Sequence, residues 1–200
     1  MKRKLTTVYA VGLLVLLLGA MVAVAAFAFS EIDTLIKAFV GLALAFVLAP
    51  VCHELGHLVF ALACQMRVVY LKCFCFRYRK ENGKGKLSFC SPFLADETQV
   101  IPTSQKDMKK RVIAYTVGGL VFSLLFLLSL IVAVAFAAAA AQTNFFLLGM
   151  LPYTAYLFLL NAAPFEYPSG KTDALVLQGL IRGEDAETVF LGVMECYGAL

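Results

Sequence analysis

The sequence predicts an all-α membrane protein with four transmembrane helices and a small cytoplasmic-side β-hairpin between the second and third. Three observations predict it. Hydrophobic residues make up 62% of the 200 positions, and charged residues only 15%, against about 45–50% and about 25% in ordinary soluble domains. Four apolar runs are long enough to cross a hydrocarbon core of about 30 Å. The Lys and Arg residues fall almost entirely between those runs on one side, with only Lys37 of the 17 on the other. The net charge of +4 therefore follows from the positive-inside bias of loops and does not point to nucleic acid.

The first run, residues 8 to 29, follows Met1-Lys2-Arg3-Lys4. It resembles a signal peptide at both ends, with Ala26-Phe27-Ala28 as an A-x-A-like site. At roughly 22 residues it exceeds the 7–15 of a signal core, so an uncleaved span is expected. Ser30 is placed to cap the second helix, with Asp33 at the capping-box position. The second run, 34 to 64, would measure roughly 46 Å as a straight helix. Pro50 removes a backbone hydrogen bond and is expected to kink it.

Residues 66 to 103 form the hairpin-and-loop insertion. From Tyr70 to Arg79 the chain alternates, with Phe74, Phe76 and Tyr78 on one face. Asn82-Gly83 is a hairpin signal, and 84 to 89 can return as a second strand. The hairpin is expected to lie at the membrane surface on its aromatic face, and 93 to 103 to be irregular. The third span is expected from 112 to 141, with the small residues Gly118, Gly119 and Ser123 allowing close helix packing. The fourth runs from 145 to 161. Pro164 and Pro168 break it, a helix follows over 174 to 181, and 184 to 200 reads as an amphipathic tail. The whole is one membrane domain. With four spans, both termini and the hairpin lie in the cytoplasm, as in a multi-pass protein of a prokaryotic plasma membrane. Free thiols are expected for the 6 cysteines. Cys73, Cys75 and Cys90 form a weak alternative metal set.

The chemistry sits in the second span, at His53-Glu54-Leu55-Gly56-His57. Both histidines of the chain are here. Residues i and i+4 share a helix face, so two imidazoles can bind one Zn²⁺. Glu54 beside them can take a proton from a metal-bound water. An ionisable residue in an apolar span is a functional hypothesis by default. A catalytic zinc takes three protein ligands and keeps one position open. With no third histidine, Glu166 and Asp173 are the candidates on the same side, with Glu187 and Glu195 more remote.

The HELGH helix, the Gly118-Gly119 pair and the Asn161-x-x-Pro164…Asp173 segment together resemble the site-2 proteases, zinc metalloproteases that cut within membranes. The resemblance covers about residues 39 to 181 and leaves the first span as an addition. It implies that Asp173 is the third zinc ligand, that Asn161 helps to hold the substrate, and that β-structure lies near the site. Substrates would be membrane proteins or peptides. The family's Asp usually follows the Asn by eight residues and precedes a Gly. Here the separation is twelve, Ala174 follows, and Ser169 stands at the usual spacing. Glu166 thus stays the alternative third ligand. The other readings are a membrane HExxH protease of another class with a Glu ligand, and a non-catalytic metal-binding or interaction protein. No regulatory module is readable.

Overall fold

The computed structural model describes residues 2–29, 31–81, 84–92, 96–167 and 170–198, without the side chains of 2–4, 81, 186 and 195–198. Ser30, the Asn82-Gly83 turn, Pro168 and Ser169 lie outside the described residues, as does the side chain of Glu195. Among the described residues the chain is mostly helical, with a four-stranded antiparallel sheet and a two-stranded one.

Four helices are long and apolar enough to cross a membrane. They are α1 (Lys2–Ala28), α2 (Ile32–Ala63), α3 (Met108–Ala139) and α4 (Phe145–Ala162). They are apolar all round, and much of that surface is exposed, including Val8, Val22, Phe39 and Phe136. A helix of this kind needs an apolar environment. α2 continues through Pro50 without a break. α4 is capped by Asn144, whose side-chain oxygen accepts from the Leu147 N–H at 3.2 Å. Between α2 and α3 lie β1 (Met66–Cys73), β2 (Phe76–Glu81), β3 (Lys84–Phe89) and β4 (Glu97–Pro102). After α4 come the two-residue strands β5 (Glu166–Tyr167) and β6 (Gly170–Lys171), then α5 (Asp173–Arg182) and α6 (Asp185–Gly198).

The chain forms two compact units. One comprises Met1–Ala49 with Ser123–Ala162. In it Tyr9 donates to the Leu159 carbonyl at 2.8 Å, and Ala45, Leu130 and Met150 form a buried cluster. The backbone carbonyl of Phe146 lies against Gly41, and that of Ala38 against Gly149, where a Cβ would collide. The other unit comprises Pro50–Phe122 with Ala163–Leu200. Its core is Ala61, Met66, Val100, Met108, Val112, Leu180 and Met194.

The insertion between α2 and α3 differs from the expected hairpin and loop. It is a four-stranded sheet in the order β3-β2-β1-β4. Residues 70 to 79 are not one strand. Tyr70 pairs with Arg79 and Cys73 with Phe76, so the chain reverses at Phe74-Cys75. Phe74 takes a positive φ of 52°, which is costly for a bulky residue. Asp96 compensates: its Oδ1 accepts the Phe74 N–H at 2.9 Å and the Lys72 ammonium at 2.6 Å. Lys72 is only 1% exposed, and its charge is matched there. The expected aromatic face survives in part, because Phe76 pairs with Phe89 and Tyr78 with Leu87. The segment expected to be irregular contains β4, which pairs antiparallel with β1. β4 is an edge strand, and Thr98 and Val100 are among its inward residues.

Candidate metal centre

The site lies within the second unit. His53 and His57 are one turn apart on α2, 7% and 5% exposed, and their rings meet edge to face. Glycines make the room. Gly56 and Gly118 bring the backbones of α2 and α3 together, each facing the other's carbonyl oxygen. A Cβ on Gly119 would overlap the His57 ring and lie 2.9 Å from His53 Cε1. Of the small residues expected to allow close packing, Gly118 meets the α2 backbone and Gly119 faces both imidazoles.

Asp173 comes from a different element of the same unit, the start of α5. Thr172 caps α5, accepting from the Leu175 N–H at 3.3 Å, and Asp173 opens the first turn. The same hydroxyl donates to the Ala163 carbonyl at 2.7 Å and accepts from the Phe165 N–H at 3.2 Å. The Thr172 N–H also bonds the Phe165 carbonyl at 3.1 Å. The paired strands β5 and β6 therefore leave and return at one point. That excursion accounts for the long separation between Asn161 and Asp173.

Three ligand atoms converge. His53 Nε2 and His57 Nε2 are 3.3 Å apart, and Asp173 Oδ2 lies 3.1 Å from the first and 3.2 Å from the second. Tetrahedral bonds of about 2.0–2.1 Å separate neighbouring ligand atoms by about 3.3–3.4 Å, so the triangle has the right size. Its chemistry also fits. His57 Nδ1 lies 2.9 Å from the Tyr115 backbone carbonyl. A carbonyl only accepts, so Nδ1 carries the proton and Nε2 of the neutral ring offers a lone pair. The facing carboxylate oxygen is likewise an acceptor, and it has no hydrogen-bond partner besides the imidazoles. A metal ion, or a proton carried on an imidazole nitrogen, can fill the space between these acceptors. In the protonated case burial works to raise the Asp173 pKa, but the hydrogen bonds and charges of His53 and His57 hold it down at about 2.

Glu54 is 5% exposed. Its Oε2 accepts from the Thr98 hydroxyl at 2.5 Å, and the Tyr115 phenol in turn donates to the Thr98 carbonyl.

Of the sequence-derived residues, the structure brings together His53, His57 and Asp173, the one group of three His, Cys, Asp or Glu ligands among the described residues. Glu166, the alternative ligand, is exposed on β5. Glu187 is buried but pairs with Lys171 at 2.5 Å. Cys73, Cys75 and Cys90 are free thiols and form no ligand group. Asn161 belongs to the first unit, where its amide donates to the Leu157 carbonyl at 3.2 Å. Thr98 and Tyr115 join the site without any motif in the sequence to mark them. No protein-family model, curated protein or solved structure matches the chain.

Proposed function

We propose that the protein is an intramembrane zinc metalloprotease that hydrolyses peptide bonds of membrane-embedded substrates. The observation that carries this reading is the His53–His57–Asp173 triangle with an anchored, buried carboxylate at the adjoining position 54. Zinc held there supplies Lewis-acid polarisation of a carbonyl and brings the pKa of a coordinated water to near neutral. His53 and His57 present Nε2, and Asp173 presents Oδ2. Glu54 takes the proton of the attacking water as the water oxygen bonds to the peptide carbon. It then delivers that proton to the amine nitrogen as the C–N bond breaks. Asn161 is assigned to substrate holding, on the resemblance to site-2 proteases alone.

The substrate must arrive extended, because a helical carbonyl is already engaged by its own helix. Main-chain hydrogen bonds to a sheet edge hold such a peptide whatever its side chains. The strand that carries Thr98 beside Glu54 is β4, an edge strand of the sheet, and it is the strand for this role. The apolar surfaces of the four helices support a multi-pass protein in a bilayer. The Lys and Arg distribution supports cytoplasmic termini and sheet, in the plasma membrane of a prokaryote.

The test uses purified protein with a panel of quenched single-span membrane peptides. Cleavage should require zinc, vanish in Glu54→Gln, and leave about one zinc per chain in that variant. Undiminished cleavage by Glu54→Gln would refute the reading. Zinc binding with no cleavage of any peptide would favour the non-catalytic metal-binding alternative.

A further inference from the structure

Glu54 and Thr98 are 44 positions apart and come from different elements, yet both are buried where they meet. A threonine hydroxyl has one proton to donate, and here it goes to Glu54 Oε2. Two restraints fix the donor. Thr98 sits in register opposite Leu71 of β1, and its carbonyl accepts from the Tyr115 phenol. Tyr115 also presents its backbone carbonyl to His57 Nδ1. One residue of α3 thus orients a ligand through its main chain and the strand through its side chain. With Oε2 engaged, Oε1 is the carboxylate oxygen left for proton transfer.

We infer that Thr98 is the positioning residue of Glu54: its hydroxyl, aimed by β4 and Tyr115, decides which carboxylate oxygen does the chemistry. The inference rests on reading Glu54 as the base. It differs in sign from a packing role. Valine has the shape of threonine and suits a strand at least as well, so packing alone ranks Thr98→Val at or above Thr98→Ser. Positioning ranks the serine variant, which keeps the hydroxyl, above the valine variant.

The experiment has two readouts on the full-length, zinc-loaded protein in detergent. The first is a melting cycle of wild type, Thr98→Val, Glu54→Leu and the double variant, which needs no substrate. Thr98→Val should lower Tm by ~3 °C, because a buried carboxylate loses its donor. In the Glu54→Leu background the same change should cost nothing, since both partners are then apolar. The second readout is turnover of labelled casein, an unfolded polypeptide whose carbonyls are free. Thr98→Val should lower kcat ~10–100-fold, the usual effect of losing a partner behind a metal site. KM should stay within about twofold and zinc content at the wild-type level, and Thr98→Ser should recover most of the rate. Additive melting shifts overturn the inference whatever casein does. Wild-type kcat in Thr98→Val, alongside an inactive Glu54→Gln, also overturns it. If wild type and Glu54→Gln treat casein and the membrane-peptide panel alike, the proteolytic reading fails, while a coupled melting cycle still establishes the hold of Thr98 on Glu54.

Discussion

Gly119→Ala should weaken metal binding without replacing a ligand. A Cβ there would lie 2.7 Å from His57 Cε1 and 2.9 Å from His53 Cε1. Ordinary van der Waals contact begins at 3.4 Å, and His57 Nε2 lies closer still than its Cε1, so the His53 ring must retreat by about 0.5 Å and the His57 ring by roughly 1 Å. Ligand distances in a metal site tolerate only about ±0.2 Å. The triangle, with edges of 3.1–3.3 Å, would open beyond that limit. A loss of ~10–100-fold in zinc affinity corresponds to about 1.4–2.7 kcal/mol. Helix propensity works the other way, since alanine stabilises an interior helical position by about 1 kcal/mol over glycine, so the helix itself is not the casualty. Gly12→Ala in α1, where a Cβ would meet nothing within 4 Å, is the matched control. The assay is zinc competition against a chromophoric chelator, with metal content measured after gel filtration. Wild-type affinity in Gly119→Ala would refute the geometric reasoning, because both imidazoles would have moved without consequence.

Three further outcomes are expected. Asp173→Ala should lose zinc while Glu166→Ala keeps about one per chain; elemental analysis of the two purified variants decides between them, and the reverse result would make Glu166 the ligand. The Cys73 thiol is pushed up to about 12 by burial and by the Asp96 and Glu54 carboxylates, so in a variant retaining only this cysteine its alkylation at pH 8 should run ~1000-fold slower native than unfolded. Because that folded-state value is raised, the associated stability is complete below about pH 9 and declines toward pH 12; equal alkylation rates would contradict the burial. Single cysteines at Asn82 and Asn144, in a cysteine-free background, should label from the cytoplasmic and the external side respectively, and labelling of both from one side would exclude the four-span topology.

The helices and the candidate histidine ligands are legible in the sequence because their signals are local. Apolar runs declare spans, and His53 and His57 declare a shared helix face by their spacing alone. Asp173 is harder to read, because a hairpin closed by Thr172 and Phe165 lengthens the chain before it without displacing the point of return. The sheet departs from expectation where tertiary contacts override local preference. Phe74-Cys75 contains no Gly, Asn or Pro to announce a turn. The turn depends on Asp96, whose part in it cannot be seen from position 74. The β4 stretch, Glu97-Thr98-Gln99-Val100-Ile101-Pro102, puts Thr98, Val100 and Pro102 inward at every second position. That short alternation is the one local signal for β4, and its closing proline obscures it. Nothing in sequence joins Thr98 to Glu54, since that bond exists only once β4 is docked.

The two supports of the site differ in how they can be lost. The tautomer of His57 is held by the main chain of Tyr115, so almost any side chain at 115 preserves it. The aim of Glu54 depends on two side chains, the Thr98 hydroxyl and the Tyr115 phenol, and a single nucleotide change in either codon can remove one. On the proposed reading, loss of the Thr98 hydroxyl or the Tyr115 phenol would impair proton transfer while leaving His53, His57 and Asp173 in place. A variant of that kind would be inert yet still equipped to hold a metal.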